Sequence, residues 1–141
     1  MNSTTVPILR YNDAQKAIDW LCKAFGFEVY LLLPAKESGK IDHCRLVRGS
    51  SMIMVASFNQ EEEFEKRFIS PQRCGGVTQC TSLVVDNPEE LFQSALAAKA
   101  NIIDEIASLP FGGKTFTCED FESHVWVISS HDPWHKAWEV A

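Results

Sequence analysis

Long apolar runs are missing from this chain: nothing in its 141 residues approaches the ~20 that a membrane-spanning helix needs. The N-terminus, MNSTTVPILR, has no basic region followed by an apolar one, so no secretory signal is read there. Cysteine is sparse and awkwardly numbered. Five residues with no Cys-x-x-Cys pair argue against a disulfide framework and against a zinc knuckle. A reducing, cytoplasmic setting is the simplest expectation. Basic excess is absent too: 13 Lys and Arg stand against 19 Asp and Glu, for a net charge of −6. A nucleic-acid or anionic-membrane partner is therefore not expected. Nor is there a glycine-rich phosphate loop, a serine nucleophile motif or a paired-carboxylate signature.

What is present is a repeat. Residues 6–30 and 80–104 align without a gap at an offset of 74, with Leu9 on Leu83, Asn12 on Asp86, Ile18 on Phe92, Leu21 on Ala95 and Cys22 on Leu96. A duplication of this size implies two small modules packed as a pseudo-symmetric pair. Ligands would then be expected where the modules face each other.

Each copy reads as β-α-β-β-β. Val6–Tyr11 is a strand by its branched apolar residues. Asn12 is the expected N-cap, with Gln15 in capping-box position. Ala14, Ala17, Ile18, Leu21, Cys22 and Phe25 then mark one face of a helix that Gly26 can end. Strands are expected at Phe27–Pro34, Lys40–Arg48 and Ser51–Phe58. Residues 59–76, with the run Glu61-Glu62-Glu63, Pro71 and Gly75-Gly76, read as a solvated acidic connector. The second copy opens with Val77–Val85, apolar on both faces and expected to be central. Asn87-Pro88-Glu89-Glu90 starts a helix whose stripe is Leu91, Phe92, Ala95 and Leu96, with Asn101 to close it. Ile102–Leu109, Lys114–Glu119 and His124–Ser130 complete it. The expected fold is α+β: one domain of two tandem βαβββ modules, 4–58 and 77–135, forming a curved mixed sheet around a shared cleft.

The residues also carry a family resemblance. The opening Val6-Pro7-Ile8-Leu9-Arg10-Tyr11-Asn12-Asp13-Ala14, followed by Ala17-Ile18-Asp19-Trp20-Leu21 and Ala24-Phe25-Gly26-Phe27-Glu28, resembles the vicinal oxygen chelate superfamily. That group includes glyoxalase I, extradiol dioxygenases, and fosfomycin- and bleomycin-resistance proteins. Within it the chain is most like bacterial glyoxalase/bleomycin-resistance-like proteins. Ile41-Asp42-His43-Cys44-Arg45-Leu46 resembles their third strand, Gly112-Gly113-Lys114 with Phe116 a Tyr-Gly-x-Arg-x-Tyr segment, and Asp132-Pro133-Trp134 a recurrent tail. Asp120-Phe121-Glu122-Ser123-His124-Val125-Trp126 resembles Asp-Pro-x-Gly-His-x-Trp. Phe121 and Ser123 replace that turn's Pro and Gly, which predicts a reshaped turn. Lys114 replaces an Arg, keeping the charge and losing the fork.

Metal-dependent relatives draw one His or Glu from each of four strands. Carried over, those positions fall on Val6, His43, Cys80 and Val127. Two valines cannot ligate, and two remaining groups rarely hold a catalytic ion, so neither metal nor other cofactor is expected. His43 reads as a pocket hydrogen-bond donor or weak candidate base, or as a partly exposed strand histidine. Arg45 shares its face by alternation. Cys80 reads as a buried, inert thiol rather than a nucleophile. Phe111, Phe116 and Trp134 flank turns and are pocket candidates, with core packing a rival for Phe116. His131 and His135 have i,i+4 spacing, but Pro133 between them argues against a helical metal face. The resemblance implies a homodimer and a small organic ligand, held without reaction by aromatic stacking and by His43, Arg45, Cys80 and Lys114. The alternative is a metal-dependent lyase or dioxygenase with an altered ligand set; a weaker one is metal-free acid/base chemistry at His43.

Overall fold

The computed structural model describes residues 2–136. Contacts divide the chain at Gly75/Gly76, where the connector ends, into two compact units. In the first, β1 (Ile8–Tyr11), α1 (Ala14–Phe25), β2 (Glu28–Pro34), β3 (Ile41–Arg48) and β4 (Ser51–Ser57) follow in order. They form a four-stranded mixed sheet, β1-β4-β3-β2, with β1 parallel to β4 and the other neighbours antiparallel. The second repeats the pattern after a short helix α2 (Pro71–Cys74) that belongs to the first unit. Its elements are β5 (Thr81–Val84), α3 (Pro88–Ala97), β6 (Asn101–Ser108), β7 (Lys114–Glu119) and β8 (Val125–Ser129), in the order β5-β8-β7-β6. The expected α+β architecture of two βαβββ modules is what the chain adopts.

One helix covers one face of each sheet, and strand alternation decides what it covers. In the first unit Ala17, Ile18, Leu21 and Phe25 of α1 are buried together with Cys44 and Leu46 of β3 and Ile53 and Val55 of β4. Cys44 pairs with Val55 and Leu46 with Ile53, so these four share the helix face. In the second, Leu91 and Ala95 of α3 are buried with Phe116, Cys118, Trp126 and Ile128. Trp20 joins the first core edge-on to Phe25.

Local chemistry sets the ends. The N-cap of α1 is Asp13, one residue later than the sequence suggested, and its carboxylate accepts from the Lys16 amide at 3.1 Å. Gln15 reaches Asp19 instead of closing a capping box. Gly26 ends the helix at φ 75°. Asn87 and Pro88 start α3 as expected, yet Asn101 does not close it: the chain turns at Lys99, φ 63°, and Asn101 already opens β6. Leu96 is exposed rather than part of the buried stripe. β5 is shorter than expected and lies at one end of its sheet rather than centrally.

The turn into β8 keeps the shape that glycine would give it. Ser123 takes φ 69°, donates its amide to the Asp120 carbonyl at 3.0 Å, and the Asp120 amide returns to His124 at 3.0 Å. Beneath it the buried Asp120 carboxylate accepts from the Glu122 and His124 amides and from Trp126 Nε1, at 3.0–3.1 Å. Those three donors hold the backbone around Ser123 in the left-handed conformation that glycine favours. The left-handed conformation costs a non-glycine residue about 1–2 kcal/mol. Ser123→Gly should therefore raise stability by about 1 kcal/mol in thermal melts. A lower melting temperature would mean that the serine side chain contributes more than its backbone strain costs.

Candidate functional site

Because the helix takes one face of each sheet, functional side chains are sought on the other. In the first unit that face is set by register. Ile8 pairs with Met54, Met54 with Arg45, and Arg45 with Leu31, giving one cross-strand row. Arg10 pairs with Ala56 and His43 with Leu33; continuing the β3–β4 register brings His43 beside Ala56 and completes a second row. Val47 opposite Met52 makes a third. The face is an apolar floor of Ile8, Leu31, Leu33, Met52 and Met54 with basic groups rising from it.

His43 and Arg45 stand two residues apart on β3, both half-buried. Arg45 Nε donates to His43 Nε2 at 3.0 Å. That bond requires an imidazole with its proton on Nδ1, and it fixes the plane of the guanidinium. At the β1 end, Arg10 makes a two-point pair with Glu65, Nε to Oε2 at 2.9 Å and Nη2 to Oε1 at 2.8 Å, and its guanidinium carbon lies 4.4 Å from the centre of the Phe68 ring. Glu65 opens a 3₁₀ turn, Glu65–Arg67, inside residues 59–76. The segment expected to be only a solvated connector is thus pinned at the β1 edge of the sheet. Glu61, Glu62 and Glu63 are exposed, as a solvated run should be. A pairing between residues 55 apart leaves no local signal, so sequence reasoning missed Arg10, Glu65 and Phe68.

In the second unit two expected site residues are corrected. β7 alternates so that Phe116 and Cys118 face α3. Phe116 is 0% exposed and meets Phe92 edge-on, ring centres 5.1 Å apart, so it is core. Lys114 has the same parity. Its ammonium reaches Glu89 of α3 at 3.0 Å, and the hydrogen bond from Lys114 holds the Glu89 carboxyl below the usual range. Lys114 thus ties strand to helix on the covered side. The opposite face of β7 and β8 carries Thr115, Thr117 and Val127, with Thr117 paired to Val127 and Ser82 of β5 beside it. Cys80 is exposed just before β5, not buried as expected. Phe111 sits in the β6–β7 turn, 43% exposed, against the His131 ring at 4.6 Å. Gly113 permits this packing, since a Cβ there would meet His131 N and Ser130 Oγ at 3.0 Å. Trp134 is 89% exposed in the turn after β8.

The register also tests the inherited metal positions. Val127 pairs with Ser82 and Thr117 in the second unit as Met54 pairs with Ile8 and Arg45 in the first. By internal symmetry Met54, rather than His43, is the counterpart of Val127. The resulting set, Val6, Met54, Cys80 and Val127, offers one thiol and one weak thioether, which does not fit a catalytic divalent ion. Substituting His43 leaves it short as well. A wide, polar depression of about 800 Å3, lined among others by Lys36, Lys40, Asp42, Asn59 and Glu62, lies at the start of β3 and includes neither His43 nor Arg45. Its openness suits solvent better than an organic ligand.

Comparison with known proteins now bears on this geometry. Residues 2–128 match the model of the Glyoxalase/Bleomycin resistance protein/Dioxygenase superfamily. The chain belongs to that superfamily. TioX from Micromonospora sp. ML1 is 30% identical, with a TM-score of 0.68 over 93% of this chain and 100% of that one. Protein PA1353 from Pseudomonas aeruginosa is 20% identical (TM-score 0.66, covering 90% and 96%). The genomically encoded fosfomycin resistance protein FosX from Listeria monocytogenes is 12% identical (TM-score 0.69, covering 94% and 96%). The last two show the fold alone. No curated protein matches the sequence. Among the described residues no helix is long and apolar enough to cross a membrane.

The superfamily member's thiols divide sharply. Burial pushes the Cys118 thiol up to about 12, with Asp120 adding to it, and burial followed by Cys22 pushes Cys44 up to about 11. Cys74 and Cys80 are exposed. A thiol-disulfide reagent at neutral pH should label Cys74 and Cys80 quickly, and Cys44 and Cys118 only on unfolding. Fast labelling of Cys118 would show that the α3 face of β7 opens readily, against the packing described.

Proposed function

We propose that this protein is a small-molecule binding module of its superfamily, working in the cytoplasm as a homodimer and without a catalytic metal. The observation that carries the reading is the His43–Arg45 pair, half-buried on an apolar floor and turned away from α1. An oriented polar pair set in methionine and aliphatic side chains is the composition of an organic-ligand site. Met52 and Met54 suit it further, because thioethers adapt to flat or irregular partners. Binding alone suffices for such a role: a protein that holds a toxic or reactive compound lowers its free concentration without reaction. Phe111, Cys80 and Trp134, each exposed to some degree, remain candidates for ligand contact on the second unit's own surface.

The donor chemistry argues against the lyase or dioxygenase alternative, since Val6 and Val127 cannot supply ligands. Two measurements test the reading. After incubation with nickel, zinc, manganese or ferrous iron and dialysis, the protein should retain no stoichiometric metal. Near one ion per chain, lost in His43→Ala, would replace the proposal with a metal-dependent enzyme. Replacing His43 and Arg45 together by alanine should weaken binding of any ligand found, with a melting temperature within a few degrees of the parent protein. An unchanged affinity would remove both from the site.

A further inference from the structure

Resting on that reading, we propose that the ligand is a monoanionic carboxylic acid on a flat apolar or aromatic body, gripped by the two terminal nitrogens of Arg45. Arg45 is half-buried, and its hydrogen bond among the described residues is the one its Nε gives to His43. Its register neighbours, Met54 and Leu31, are apolar. A guanidinium set in such a floor without an anion pays desolvation that nothing in the fold returns. In a chain of net charge −6, acids to neutralise it are plentiful, yet the carboxylates Glu65, Glu63 and Glu89 pair with Arg10, Lys66 and Lys114 rather than with Arg45.

Geometry narrows the class. With Nε fixed on His43, the free edge of Arg45 is the pair of terminal nitrogens, whose spacing matches the two oxygens of one carboxylate. A dianionic phosphate would call for a second cation. The candidate on this face is Arg10, two strands and so roughly 10 Å from His43, but Glu65 already occupies it at two points. That internal pair shows the carboxylate recognition proposed for Arg45 and leaves the face with one positive charge to offer. The row between Arg10 and His43 is occupied by the small Ala56, which leaves room above the sheet for a ring. Ile8, Met52 and Met54 would lie beneath it, with sulfur contacts to an aromatic edge.

The test compares acids with their neutral isosteres. Benzoate, cinnamate, 2-naphthoate and decanoate are titrated against the full chain beside the matching primary amides, by thermal shift and calorimetry. The acids should raise the melting temperature, and the best acid should bind at least about 10-fold more tightly than its amide, as expected for hydrogen bonds to a charged group. Arg45→Met, close in shape, should erase the preference while melting near the parent; Arg45→Lys should retain part of it. Amides bound as tightly as acids, or an acid preference that survives in Arg45→Met, would overturn the carboxylate assignment and leave the binding module standing. Silence from the whole panel would overturn both.

Discussion

Strand alternation is the constraint on which the remaining features depend. A βαβββ module of this size can afford one helix for each sheet, so every strand must send its apolar residues of one parity to that helix. The other parity is then free of packing duty. In β3 this puts Cys44 and Leu46 inside and releases His43, Arg45 and Val47. In β7 it puts Phe116 and Cys118 inside and releases Thr115 and Thr117. Because β4 and β8 carry the same register relations to their neighbours, the two units present comparable faces with different chemistry: basic and methionine-rich in the first, small and hydroxylic in the second.

Electrostatics then decides which charged groups are available. Arg10 is consumed by Glu65 and Phe68, and Lys114 by Glu89. The first pins the connector on β1 through a largely buried two-point pair, and the second is a half-exposed contact between β7 and α3. Arg45 is paired with a neutral imidazole instead, which orients a guanidinium without neutralising it. That difference separates a recognition group from a fastening. It also bears on the loss of metal ligands. Under the proposed function, an apolar floor with one oriented cation suffices to hold an organic molecule without metal ligands.

Much of this was legible in the sequence. The offset between copies, the helix stop at Gly26 and start at Asn87-Pro88, and the face of α1 that buries Ala17, Ile18, Leu21 and Phe25 all rest on local patterns that the fold keeps. The errors have specific physical causes. Asp13 rather than Asn12 caps α1: both residue types can serve, and it is the Asp13 carboxylate that accepts from the Lys16 amide. Lys114 was assigned to the site by family likeness and Phe116 because it flanks a turn, with core packing its rival; the run Lys114–Glu119 alternates apolar residues at 116 and 118, and that period favours the covered face. Cys80 was expected inside, but β5 begins only after it. The Ser123 turn is held by the Asp120 carboxylate, which accepts from the Glu122 and His124 amides and from Trp126, a side-chain support that turn preferences at positions 121 and 123 do not register. Arg10 with Glu65 was out of reach because the two lie 55 residues apart.

The central claim is that the face of the first sheet turned away from α1 is the ligand-binding surface. Backbone and methionine-methyl NMR spectra recorded during titration with an aromatic acid test it most directly. The account predicts that the largest shifts fall on His43, Arg45, Met52, Met54 and Ile8, while Leu46, Ile53 and Val55 of the helix face move little. Shifts centred on that helix face, or on the depression near Lys40 and Asn59, would contradict it.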